Sequence, residues 1–187
     1  WHQLRPDSRP LDVAVNLSSR QVAQRDFAAN VEETIARTGI DPLHLRLEIT
    51  ESVLVDESAT AISSLERLNE LGVRLVLDDF GTGYSSLAYL NRFPFQALKI
   101  DRSFVDALGI EQEATAIVEA IIGMARALSL EVIAEGVESE VQLAELQRLN
   151  CDYAQGYLFQ AAMPEREVSR LIAEGALAYS GISPEGR

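Results

Sequence analysis

Six short apolar runs, each with a polar or charged residue late in the run, alternate with helix-patterned stretches along this chain. The runs are Leu11 to Ser18, Leu45 to Thr50, Val73 to Phe80, Ala97 to Asp101, Glu131 to Val137 and Tyr153 to Phe159. They are rich in Val, Ile and Leu and alternate poorly, the pattern of parallel strands covered on both faces. Between them the period becomes helical. Phe27, Val31 and Ile35 precede Gly39, a C-terminal cap signal, and Ile62, Leu65 and Leu68 precede Gly72. Ile117, Ile121 and Met124, then Val141 with Leu146, then Val168 with Leu171 and Ile172, continue the pattern as core-facing stripes. Strand–helix alternation implies right-handed crossovers and a parallel sheet. Six βα units suit a doubly wound open sheet, or three-quarters of an eight-stranded barrel, which typically needs about 250 residues.

The polar residues separate these alternatives. Asn16, Glu48, Asp78 with Asp79, Lys99, Glu135 and Gln155 are far apart in sequence and share only their place near a strand end. A parallel barrel brings all its C-terminal strand ends to one mouth, whereas an open sheet converges only those near its switch point. One such carboxylate alone reads as a cap or turn former. Four converging without partners repel one another, and divalent cations remove that cost. Carboxylates with an Asn carbonyl, and no thiol or imidazole, suit magnesium or manganese better than zinc.

Asp78 and Asp79 are adjacent, so both reach one metal site only if the strand ends or twists there; Phe80-Gly81-Thr82-Gly83-Tyr84-Ser85-Ser86 supplies glycines for the turn. One aspartate bridging two ions and its neighbour holding the second would make a two-metal phosphoryl-transfer site. Lys99 either orients or deprotonates an attacking water, or balances charge structurally. Glu48-Ile49-Thr50-Glu51 also reads as a capping box. Gly81-Thr82-Gly83 lacks the third glycine of a dinucleotide loop and follows two aspartates, and no acidic run has EF-hand spacing.

Composition narrows the function further. The formal net charge of −13 argues against DNA or RNA binding, which lives on basic surface, and an anionic substrate would need bound cations to reverse the local field. The single cysteine, Cys151, reads as a buried filler thiol of a reducing cytoplasm; His2 and His44 read as structural or solvent-facing. No apolar run approaches the ~18 residues of a membrane span. At 47% hydrophobic, 187 residues suffice for one domain core, expected over about 11–174 with a small polar tail from Gly175 to Arg187.

From Asp12 to Pro164 the chain resembles the EAL family of cyclic-di-GMP phosphodiesterases. The resemblance rests on Val15-Asn16-Leu17-Ser18, Glu48-Ile49-Thr50-Glu51-Ser52, Asp78-Asp79-Phe80-Gly81-Thr82-Gly83-Tyr84-Ser85-Ser86-Leu87, Leu98-Lys99-Ile100-Asp101, Glu135-Gly136-Val137-Glu138 and Gln155-Gly156-Tyr157-Leu158-Phe159, in family order. It implies a modified TIM (β/α)8 barrel and hydrolysis of cyclic-di-GMP to linear pGpG with two magnesium or manganese ions. By the same resemblance, Asn16, Glu48, Asp78 and Asp79 are metal ligands, Lys99 and Glu135 position or activate the hydrolytic water, and Gln155 lines the pocket. Glu51 resembles the glutamate that steadies the loop containing Phe80, Gly81, Thr82 and Gly83.

The Glu-Ala-Leu signature, whose glutamate is itself a ligand, is absent, so the resemblance implies about six of eight βα units, with the first two strands and a substrate-holding arginine missing. The opening Trp1-His2-Gln3-Leu4 reads like the tail of a helix, and Ala161-Ala162 stand where the family often has Arg-Pro. The family further implies homodimerisation near the loop after Asp79, and an upstream sensory or GGDEF-type domain in a parent chain that a membrane could anchor. A catalytically inactive cyclic-di-GMP-binding or regulatory module is the alternative reading. It fits less well, because a receptor has no need of Lys99 and Glu135.

Overall fold

The computed structural model describes Trp1, residues 10–51, 59–82, Leu90 and residues 92–175. His2, Gly83, the rest of the loop through residue 89 and the tail beyond Gly175 lie outside the described residues. The six runs form strands β1 (Val13–Leu17), β2 (Leu45–Thr50), β3 (Arg74–Phe80), β4 (Ala97–Ile100), β5 (Glu131–Ala134) and β6 (Tyr153–Ala154). All neighbours pair in parallel, and the sheet order is β1-β2-β3-β4-β5-β6. A doubly wound sheet would reverse direction at a switch point; this one winds one way only, as a (β/α) barrel does.

The described helices are α1 (Ser19–Val22), α2 (Phe27–Thr38), α3 (Ala59–Glu70), α4 (Arg102–Val105), α5 (Gln112–Ala127), α6 (Glu140–Arg148) and α7 (Glu165–Glu174). Gly39 ends α2 in the left-handed conformation at φ 70°, where its N–H meets the Ile35 carbonyl, the capping expected of a glycine there. No helix among the described residues is long and apolar enough to cross a membrane.

One-way winding leaves the two faces of the sheet unequal. The outer face, with Leu47, Ile49, Leu75, Leu77, Leu98, Ile100 and Val132, packs against Leu65, Leu68, Val118, Ile122 and Leu146 in one continuous core. The inner face holds a separate small layer of Val76, Ala97 and Ile133, with Tyr153 against it. Burial at ~25 cal/mol per Å² makes the outer layer the main source of stability, and the inner layer mainly separates two polar zones above and below it.

Two helical stripes differ from expectation. Helix α5 turns Ala114, Val118, Ile121, Ile122 and Ala125 to the core and leaves Ile117 exposed. Helix α6 buries Gln142 and Leu146 and leaves Val141 at the surface. In both, an apolar residue one position off the buried stripe misled the period, and in α6 a polar side chain took the inward position. Cys151 is fully buried, with its Sγ near the Val132 and Tyr153 carbonyl oxygens; burial pushes its thiol pKa up to about 12, so it packs as an inert group.

Candidate metal centre at the carboxyl ends of the strands

Alternation along each strand carries the inner-face positions upward to the mouth. On β2, Arg46 and Glu48 point inward; on β4, Ala97 and Lys99 do. Parallel register sets Asn16 of β1 directly beside Glu48 of β2. Strands β5 and β6 stop earlier than their apolar runs, so Glu135 and Gln155 stand one residue past the strand ends. Backbone bonds fix both: Glu135 N–H donates to Ile100 O at 3.1 Å, and Gln155 N–H to Ala134 O at 2.8 Å.

Lys99 is the hub. Its Nζ lies 2.8 Å from Glu48 Oε2, 3.0 Å from Asp78 Oδ1 and 2.5 Å from Glu135 Oε1. Strands β2 and β5 would stand about 14 Å apart in a flat sheet, so contacts that join them through β4 require a curled one. Gln155 Nε2 donates to Glu135 Oε1 at 2.7 Å. The Asn16 carboxamide, turned nitrogen-first, donates to Asp78 Oδ2 at 3.2 Å and Glu48 Oε2 at 3.0 Å. Turned oxygen-first it offers a carbonyl to the same two carboxylates, an arrangement that a cation between them would reconcile.

The adjacent aspartates are reconciled by the backbone. The β3–β4 register shifts between Leu77 and Phe80, and Asp79 takes φ 56°, a left-handed conformation that few residues besides glycine, asparagine and aspartate adopt. That bulge turns Asp79 toward the face that Asp78 already occupies. Thr82 Oγ1 then caps the Asp79 carbonyl at 2.9 Å, and Gly81 N–H donates to Glu51 Oε1 at 2.9 Å. Gly81 has φ 97°, and a Cβ there would come within 2.8 Å of the Phe104 ring, so the turn tolerates only glycine. Phe80 is buried in the core beneath it. Carboxylate oxygens of Asp78, Asp79 and Glu135 all lie within 4.8 Å of one another, the spacing of donors that share a cation.

The electrostatics follow from four carboxylates around one ammonium. Burial works against the Lys99 charge, but hydrogen bonds to Glu135 and Glu48 outweigh it and raise its pKa above the ordinary value. Lys99 is therefore protonated here, which suits a donor and disfavours the deprotonating role left open by the sequence. Burial raises the pKa of Glu135, more than the Lys99 contact lowers it, with Asp78 and Glu48 adding to the rise. Burial also raises that of Asp79, helped by the charges of Asp78 and Asp101. An ion bound among them would reverse this frustration.

The sequence reading named the ring residues but gave no role to Asp101, which faces Asp79 electrostatically while capping α4 through Ser103 N–H at 3.0 Å. Its position two residues after Lys99 was the available signal. It also passed over Gln142, whose only mark in the sequence is the Ser139-x-x-Gln142 capping box.

Together, one-way parallel winding and a mouth of hard oxygen donors define a partial (β/α) barrel whose carboxylates could hold a divalent cation. The model of the EAL domain matches residues 1–162, and the chain belongs to that family. It is 42% identical over 162 residues to the bifunctional diguanylate cyclase/cyclic di-GMP phosphodiesterase MucR of Pseudomonas aeruginosa, covering 87% of this chain and 24% of that protein. It is 46% identical over 154 residues to the cyclic di-GMP phosphodiesterase NbdA of the same organism, covering 82% and 20%. The chain thus spans a quarter or less of the length of these relatives. Among solved structures, the MucR phosphodiesterase–c-di-GMP complex superposes with TM-score 0.79 at 43% identity, covering 84% of this chain and 64% of that one. The manganese/cy-diGMP complex of Klebsiella pneumoniae BlrP1 gives 0.76 at 29%, covering 85% and 40%.

Proposed function

We propose that this chain is the catalytic part of a cyclic-di-GMP phosphodiesterase, hydrolysing one phosphodiester to give linear pGpG. The observation that carries the reading is the Asp78–Asp79–Glu135 cluster held beside a protonated Lys99. The relatives and solved complexes named above, which pair this family with cyclic di-GMP, support the substrate.

Asn16, Glu48, Asp78 and Asp79 would hold two magnesium or manganese ions. Bound there, the ions supply charge neutralisation for the phosphate and acidify a water. Glu135 would accept the proton that water gives up as its oxygen adds to phosphorus and one P–O bond breaks, the departing ribose oxygen taking its proton from solvent. Lys99 donates hydrogen bonds to the charge that develops on the phosphoryl oxygens. Gln155 holds the Glu135 carboxyl in place, and Glu51 steadies the turn through Phe80, Gly81, Thr82 and Gly83. We further place the unit, as a single domain with its core over 11–174, in a longer cytoplasmic or membrane-anchored chain behind a sensory or GGDEF-type domain. MucR's pairing of cyclase and phosphodiesterase supports that arrangement. We also expect a homodimer near the loop after Asp79, which from Gly83 to residue 89 lies outside the described residues.

The test is hydrolysis of cyclic-di-GMP with manganese, following pGpG by chromatography, beside Asp79→Asn. Turnover that disappears in the variant supports the reading. Tight cyclic-di-GMP binding without turnover, from folded protein under all metal conditions, would move it to the regulatory alternative.

A further inference from the structure

Among the described residues, two capping boxes of identical pattern occur, and they have different surroundings. At α1, Ser18 and Gln21 exchange bonds at the surface: Gln21 N–H reaches Ser18 Oγ, and Ser18 N–H reaches Gln21 Oε1. At α6, Ser139 and Gln142 make the same exchange, at 3.3 and 2.9 Å, but Gln142 is buried, and its carboxamide does more. Its Oε1 also accepts Glu138 N–H at 2.8 Å, and its Nε2 donates to the Val105 carbonyl at 3.2 Å. A cap satisfies the helix's own orphan amides. The bond to Val105 lies outside that function: it joins the loop that follows β5 to the helix that follows β4.

Those two segments begin at the two groups in contact at the mouth. Lys99 leads through Ile100 and Asp101 into α4, which Val105 ends; Glu135 leads through Gly136 and Val137 to Glu138. A second tie runs parallel to the first, since Arg102 Nη1 meets Glu138 Oε1 at 3.0 Å. The Arg102 stem lies across Gly136, where a Cβ would stand 2.5 Å from its Cγ. Gly136, at φ 69°, is the residue that lets the stem lie there. The loop's far side is held by Val137 N–H on the Gln155 carbonyl at 3.0 Å.

We infer that Gln142 is a positioning residue of the hydrolytic site: its buried carboxamide clamps the Glu135 loop to the α4 segment and so fixes Glu135 against Lys99. The inference rests on the proposed reading of Glu135 and Lys99 as site groups. Losing the carboxamide orphans the Glu138 and Ser139 amides and leaves the Val105 carbonyl with Leu108 N–H alone, and the loop can repair the two amides only by moving. Supporting groups of this kind typically change metal affinity or activity by about 10- to 100-fold when removed.

The experiment compares Gln142→Leu, Gln142→Glu and Ser139→Ala with the unsubstituted chain, using Asp79→Asn as control. Ser139→Ala removes the α6 cap but leaves the clamp, so it reports what a purely helical role would cost. Two measurements are made: amide hydrogen exchange at Glu135 and Val137 without metal, and Mn2+ affinity by titration calorimetry. Gln142→Leu is expected to speed exchange at both amides and to weaken Mn2+ about tenfold. Ser139→Ala is expected to leave both unchanged while lowering the melting temperature. Gln142→Glu keeps an acceptor for both amides but loses the donor to Val105, and is expected to fall between the two.

Exchange and affinity in Gln142→Leu equal to those of Ser139→Ala would overturn the inference. Should Gln142→Leu fail to fold, Gln142→Glu carries the test, and wild-type exchange at Glu135 together with wild-type affinity overturns it. Mn2+ binding unchanged in Asp79→Asn would instead sink the metal-centre reading, and exchange at Glu135 and Val137 alone would then judge the clamp.

Discussion

The inner face of the sheet carries two ionic clusters, one at each end, with the Val76–Ala97–Ile133 layer between them. At the lower end, Asp12 accepts from Arg46 Nε at 2.9 Å and lies 2.9 Å from His44 Nδ1. Glu131 stands 3.8 Å from Arg46 Nη1 and 3.9 Å from Arg74 Nη1, and the Arg46 guanidinium sits 5.8 Å from the Tyr153 ring centre. Two carboxylates face two guanidiniums there, and the charges balance. At the upper end Glu48, Asp78, Asp79 and Glu135 face one ammonium, and they do not. The lower cluster is charge-balanced as it stands, although the buried Glu131 Oε2 lacks a hydrogen-bond donor among the described residues; the upper one is frustrated until more positive charge arrives. Both are built from inner-face positions of the same strands, so the difference is one of charge count and not of fold.

The two ends also titrate with opposite sign. Burial raises the Asp12 pKa, but bonds from His44 and Arg46 overcome it, and the net shift is downward. Its stabilisation is present above the ordinary value of about 3.9 and disappears as pH falls through the lowered pKa. Asp79 and Glu135 are raised, so without metal they favour folding below the ordinary range of about 4 and oppose it once pH has risen past their raised values.

The sharpest way to break this contrast is Asp79→Asn. Turnover should fall by about 10²-fold or more and Mn2+ binding should weaken with it. The metal-free melting temperature at pH 7 should nonetheless rise by a few degrees, because a repelling charge is gone and asparagine accepts a left-handed φ more readily. A variant that melts lower than the parent would refute the frustration argument.

Lys99→Met comes next. It strands buried carboxylates around a missing cation and should cost about 3 kcal/mol in metal-free urea unfolding. Saturating Mn2+ should stabilise this variant more than it stabilises the parent. Equal stabilisation would mean that ion and ammonium do not share a role.

At the other end, Arg46→Met should cost about 1–2 kcal/mol and leave Mn2+ affinity untouched. An affinity change there would show that the apolar layer does not insulate the two clusters. The smallest effect belongs to Asp12→Asn, under ~1 kcal/mol for a partly exposed pair. In urea unfolding followed from pH 5 to 2, it should flatten the acid limb of the stability curve. An unchanged limb would assign that loss to other carboxylates.

Much of the mouth was legible because its residues share one rule, a polar position at the end of an apolar run, and the rule survives when strands shorten. Glu135 and Gln155 fell just past β5 and β6, yet backbone bonds to Ile100 and Ala134 kept them in the ring. The lower cluster was not legible. Arg46, Arg74 and Glu131 lie early in their runs, where a charged residue looks like a strand boundary. Gln142 was hidden in the same way, as an ordinary cap, and Val141 beside it was mistaken for core.

The sequence by itself determined the element order, the parallel class of the sheet and the residue types gathered at its upper end. Those follow from period and from the spacing of polar residues, which are local properties of a chain. Only the tertiary structure decided which charges touch, that Asp79 turns back beside Asp78, and that a glutamine on α6 braces the loop of Glu135. Each of these depends on the curl of the sheet, which brings residues of β2, β4 and β5 within a few ångströms, and no periodicity in the chain encodes that distance.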